Sequence, residues 1–269
     1  MTTTTPTRPA LVPTTEPADG PLTAWRLEWL RLVRTPRLFA LVAVYGFFGL
    51  LGPILARYMQ QLLQHTQSNL TITAADPRPV DAMTNFVSEI NQTALVVAVV
   101  VSAGALAFDS RRGVATLLRT RATSIAELVL PRFVVSAAAV ITAYLVGTLA
   151  AWYETTLLLG RLPTAEVVLG FVCGAVYLVF VVAVTAAAAS IARSVLATVG
   201  IAVAVLLLLP IAAIASELQR WLPSSLATAP VDLLGTADIG DYAPTLVVTV
   251  LASTALFRLA TWRLKNREL

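Results

Sequence analysis

The sequence predicts an all-α polytopic membrane protein with six transmembrane helices, both termini on the cytosolic side, and an amphipathic helix ahead of the first span. Three observations predict it. The chain of 269 residues is 57% hydrophobic and only 13% charged, against roughly 25% charged in a soluble domain. Its mean hydropathy is +0.79. Its apolar residues fall in long uncharged runs, and a hydrocarbon core about 30 Å thick takes roughly 20 residues of helix.

The elements follow in chain order. Residues 1–21 are rich in Thr and Pro, lack an apolar core and read as a disordered tail rather than a signal peptide. Residues 22–36 form a helix on whose one face lie Leu22, Trp25, Trp29, Leu32 and Val33, with Arg31 and Arg34 opposite. Trp on one side and Arg on the other suits a helix lying in the lipid interface. The remainder, 22–269, is one transmembrane domain. Its spans are expected at about 38–56, 90–108, 133–153, 167–192, 195–215 and 243–257. Pro210 bends the fifth, and the sixth reaches full length if Arg258 snorkels to the headgroups.

Charge sets the orientation. Six spans place both termini on one side. With that side cytosolic, fifteen of the nineteen Lys and Arg residues are cytosolic and four, Arg57, Arg78, Arg161 and Arg220, lie outside. The positive-inside rule then makes the chain N-in and C-in. Five of the fifteen, Arg111, Arg112, Arg119, Arg121 and Arg132, crowd one connection between two oily segments. Such a distribution suits a membrane and excludes a nucleic-acid surface. Two outer loops are expected, at 58–89 and 216–242. The second holds Trp221, Pro223 and Pro230 and suits a short interfacial or re-entrant helix.

Little in the chain points to catalysis. The single cysteine, Cys173, lies in an apolar run, and the single histidine, His65, falls in the first outer loop. No cluster with metal-ligand spacing occurs. A nucleotide-binding P-loop needs a lysine followed by Ser or Thr, whereas Lys265, the one lysine, precedes Asn266. The span interiors carry no Asp, Glu, Lys, Arg or His, which counts against a proton-coupled carrier, since such carriers keep their relay at membrane depth. Small residues form stripes, Gly46, Gly49 and Gly52 in span one and Gly170 with Gly174 in span four. They serve either packing within the chain or a dimer face.

The order of these parts resembles the permease subunit of an ABC-2 type (type V-like) ABC transporter. Glu28-Trp29 followed by Arg34-Thr35-Pro36-Arg37 resembles that family's acidic-then-basic lead into span one. Asp109, Gly113, Leu117-Leu118 and Arg132 fall on its pattern between spans two and three, and Asn266-Arg267-Glu268-Leu269 resembles its common ending. The chain has Val114 where the family often has Thr, and Arg121 where it favours Pro. The resemblance implies a cytosolic coupling helix over about 110–126, docking on a separate ATPase subunit through Arg111, Arg112, Gly113, Val114, Leu117, Leu118 and Arg119. It implies a second permease subunit and surrounding lipid as further partners. No cofactor is expected on this chain; ATP and Mg would be bound by the ATPase. Apolar spans suit export of a lipidic or amphiphilic cargo across the plasma membrane. The competing expectations are a carrier or channel working without ATP, and a scaffold or assembly factor.

Overall fold

The computed structural model describes residues 21–66, 77–107, 125–212 and 220–266. These are helical throughout, with no strand among them. The chain opens with α1 (Pro21–Arg34) and α2 (Pro36–Thr66). Next come α3 (Pro79–Glu89), a π-helical turn (Ile90–Ala94) and α4 (Leu95–Leu106), which together make one continuous rod. The long helices α5 (Ile125–Leu158) and α6 (Thr164–Ile191) follow, then α7 (Val195–Ala212). A looped segment carries a 3-10 turn (Pro223–Ala227), the four-residue α8 (Ala229–Asp232) and a second 3-10 turn (Ile239–Tyr242), and α9 (Ala243–Asn266) ends the described chain.

Five helices are long and apolar enough to cross a membrane, and the apolar stretch Val195–Ile211 of α7 is shorter. Large apolar side chains face outward from the bundle, among them Phe39 at 77% exposure, Leu207 at 66% and Leu251 at 64%. An apolar exterior on this scale is paid for only by lipid. The protein is an all-helical, polytopic membrane protein.

Local chemistry sets the element ends. Thr35 closes α1, its Oγ1 donating to the Arg31 carbonyl at 2.6 Å. Pro36 then opens α2, where a missing N–H costs nothing. Arg78 N–H donates to Asp81 Oδ2 at 2.8 Å, and Pro79 stands at the first helical position of α3.

Several boundaries differ from expectation. The second apolar rod begins at Pro79, not Ile90, because Ala82, Met83, Phe86 and Val87 bury one face of a polar-looking segment. The helix α2 runs on to Thr66, so His65 stands in a helix and not a loop. The third expected span, 133–153, lies inside the longer α5, and the last helix continues past Phe257 to Asn266. The fifth is described as far as Ala212, and residues 213–215 of the expected span lie outside the described residues.

The helix α6 is the centre of the bundle. Every residue from Phe180 to Ser190 is buried, because α4, α5, α7, α8 and α9 all pack around it. A helix enclosed on all sides is apolar all round, and its Val-then-Ala sequence keeps the neighbours close. On one flank Tyr144 of α5 stacks on Phe171 of α6 with ring centroids 5.2 Å apart. On another, Phe133 of α5 meets Phe257 of α9 at 4.9 Å.

Candidate functional site: a charged junction between α1, α2, α4 and α5

The charged side chains of α1 and α5 meet at one end of the bundle. Arg132 Nε donates to Glu28 Oε1 at 2.8 Å. The two side chains are 9% and 16% exposed, so the pair is largely withdrawn from solvent. Arg31, one helical turn on from Glu28 and 41% exposed, brings Nη1 to 3.7 Å from the same oxygen. Arg37, at the start of α2, lies over Gly104 of α4: a Cβ on that glycine would stand 3.5 Å from Arg37 Nη2. Leu32, Thr35 and Ser136 are among the further residues that line a small crevice here. Three guanidinium groups and one carboxylate are thus gathered where four helices begin or end.

The geometry suits a tie between helices. Withdrawing ions from water costs several kcal/mol each, and only a close, hydrogen-bonded partner offsets it. The Glu28–Arg132 contact therefore ties α1 to the first turns of α5. The chain leaves α4 at Leu106 and re-enters at Ile125, at this same end. The segment predicted to couple, with Arg111, Arg112, Gly113, Val114, Leu117, Leu118 and Arg119, lies outside the described residues. Among the described residues no group of three or more His, Cys, Asp and Glu could hold a metal ion.

The predicted interfacial face of α1 divides in two. Leu32 is buried against the bundle beside Glu28, while Trp25, Trp29 and Val33 stay exposed at 37%, 55% and 57%. The side chain of Leu22 lies outside the described set. The helix therefore rests on its Glu28–Leu32 edge, and its tryptophan edge meets the surroundings of the protein.

Four of the five small-residue positions are occupied by internal contacts. A Cβ on Gly49 would collide with the Gly147 carbonyl, and one on Gly52 would stand 3.0 Å from Phe86 N. One on Gly170 would stand 2.7 Å from Pro230 Cα, and one on Gly174 would enter the Tyr144 ring, 2.8 Å from Cζ. These glycines stand where the chain's own elements approach closely. Gly46 differs: nothing lies within 4 Å of its Cβ position.

Glu28 and Arg132 were each visible in the sequence, but not as a pair. The available signal was Arg132 alone, an isolated charge on an otherwise apolar arc, which demands a partner.

No family model matches the chain. It is 20% identical over 246 residues to an uncharacterised transmembrane protein, YxlG, of Bacillus subtilis (strain 168), a similarity that covers 90% of this chain and 95% of that protein.

Proposed function

We propose that this chain is the permease subunit of an ATP-driven transporter of the ABC-2 type, embedded in the plasma membrane. In this reading α7 is the fifth of six spans; its apolar stretch of 17 residues reaches about 26 Å at 1.5 Å per residue. Both termini are cytosolic, two permease subunits form the pore unit, and separate ATPase subunits bind ATP and Mg. The cargo is lipidic or amphiphilic and moves outward. The chain itself carries no catalytic residue.

One observation carries the reading: the buried Glu28–Arg132 pair ties the amphipathic helix to the helix that emerges from the arginine-rich segment. A partner that pushes on that segment displaces α5, and α1 with it. A pair serving topology alone needs no such linkage, because arginines fix orientation equally well in an unstructured loop.

Affinity purification in mild detergent tests the proposal. The expected result is co-purification of a protein with a Walker A motif, and transport that requires ATP. Full transport by the purified chain without nucleotide overturns it.

A further inference from the structure

At the far end of α4 from the charged junction lies a cleft of about 480 Å³. Asn91 and Ala105 mark the two ends, roughly 20 Å apart at 1.5 Å per residue. The cleft owes its shape to the π-helical turn. Buried positions on the α3–α4 rod recur every four residues at Ala82, Phe86, Ile90, Ala94, Ala98, Ser102 and Leu106. A four-residue repeat outruns a 3.6-residue turn, and the wide turn takes up part of the slack, Leu95 N–H bonding back to the Ile90 carbonyl. The widened turn turns Asn91 toward the loop, where its Nδ2 donates to the Ala227 carbonyl at 3.1 Å.

The two walls of the cleft differ in chemistry. One is apolar, with Val96, Val203, Leu206 and Leu207, and it opens sideways: Leu207 is 66% exposed and Val96 37%, on the outside of the bundle. The other is polar, with Asn91, Gln92, Tyr177, Ser224, Ser225 and Thr228. No Asp, Glu, Lys, Arg or His among the described residues lines it.

The polar wall has spent part of its hydrogen-bonding capacity internally. Asn91 donates to Ala227, Gln92 Nε2 to Ser88 Oγ at 3.0 Å, Ser225 Oγ to the Leu222 carbonyl at 2.8 Å, and Thr228 Oγ1 to the Ser225 carbonyl at 3.2 Å. What these side chains still offer is both kinds of group: their acceptor oxygens, one further N–H each on Asn91 and Gln92, and the Ser224 hydroxyl. Ser224 Oγ is buried without a hydrogen-bond partner, a state that costs free energy unless something supplies the bond.

We propose that this cleft binds the uncharged, hydroxyl-bearing head group of a bilayer amphiphile, with the acyl chain laid along Val96 and Leu207. A hydroxyl both donates and accepts, so it can meet the acceptor oxygens and the remaining N–H and O–H donors alike. An anionic head would find no cation among the described residues of the lining. The space equals that of roughly sixteen waters at about 30 Å³ each, which suits a glycerol-sized head and the first part of one chain. The assignment concerns binding, and it stands whether or not the chain moves cargo. Where the permease reading also holds, the cleft is a place where cargo is held.

The test is photocrosslinking of the full chain in phosphatidylcholine nanodiscs, with cross-linked peptides mapped by mass spectrometry. Three probes share one diazirine-bearing acyl chain: a monoacylglycerol, the corresponding methyl ester, and the corresponding lysophosphatidate. The monoacylglycerol should label residues 88–96 and 203–210 about tenfold more than the methyl ester does, the effect of one or two net hydrogen bonds. Leu207→Trp, at a position exposed enough to spare the fold, should cut that labelling several-fold by filling the mouth. Ser224→Ala should cut it less. Equal labelling by the methyl ester, preference for the lysophosphatidate, or indifference to Leu207→Trp would each overturn the assignment. Absence of an ATPase partner would overturn only the transporter reading and leave this labelling unchanged.

Discussion

Gly147 of α5 crosses Tyr45 of α2 so closely that a Cβ on the glycine would stand 2.6 Å from the Tyr45 carbonyl oxygen. Beside it, Gly49 meets the Gly147 carbonyl in the same way. In lipid there is no hydrophobic drive between helices, so close backbone approach has to supply the packing energy. Gly147→Ala should therefore destabilise the bundle by about 1–3 kcal/mol, the usual effect of overpacking. Gly46→Ala, whose new methyl group meets nothing within 4 Å, serves as the control and should be close to neutral. Thermal unfolding in detergent reads both; equal midpoints for the two variants would refute the crossing.

The ion pair between Glu28 and Arg132 supports a second expectation. Hydrogen bonds to charged groups contribute about 1.5–3 kcal/mol, so a double-mutant cycle of Glu28→Gln and Arg132→Gln should give a coupling energy in that range. Arg31→Gln should cost under about 1 kcal/mol, because Arg31 is 41% exposed and screened. In Glu28→Gln, trypsin should cut at Arg26 and Arg31 sooner than in the parent chain, since α1 loses its tie to α5. A coupling near zero with unchanged cleavage would show the contact to be incidental.

How much of this was legible depended on the kind of signal. The spans beginning at Leu38 and Val195 stood out because an unbroken apolar run means one thing whatever surrounds it. The helix Pro79–Glu89 did not, since Asp81, Asn85, Ser88 and Glu89 disguise a face that buries Met83 and Phe86. Its start signals, a proline at the first helical position and an acid in the first turn, were present in the sequence and outweighed by low hydropathy. The Glu28–Arg132 bond spans 104 positions, and no periodicity connects residues so far apart. The cleft beside Asn91 depends on a widened helical turn, which leaves no mark in a hydropathy pattern.

Orientation offers a third prediction. Ser194 and Thr164 are both exposed and mark opposite ends of α6, Thr164 as its first residue and Ser194 just beyond its last. In a Cys173→Ala background, which removes the buried native thiol, a cysteine at Ser194 should react with a membrane-impermeant maleimide only from the cytosolic face. One at Thr164 should react only from outside. The charge count fixes this sense, fifteen basic residues against four. The opposite labelling would invert the topology and remove the arginine-rich segment from the reach of any cytosolic ATPase.

The last prediction concerns that segment, residues 110–126, through Leu118. If its apolar side chains anchor in a cleft of an ATPase subunit, Leu118→Asp places a carboxylate where no partner awaits it. Burying an uncompensated charge costs several kcal/mol, whereas the same side chain exposed to the cytosol costs almost nothing. The variant should insert normally, yet lose ATPase co-purification and ATP-dependent transport. Replacing Arg111 and Arg112 with Gln should weaken docking by a smaller factor. Added salt should reproduce that weaker effect in the parent chain, because exposed charges are screened over about 10 Å at 0.1 M. The measurements are the ATPase recovered and the hydrolysis rate, each normalised to inserted protein. Two effects of different size and different salt dependence would separate an apolar anchor from an electrostatic guide. Normal assembly and transport in Leu118→Asp would mean that this face meets no partner, leaving the arginines as determinants of orientation alone.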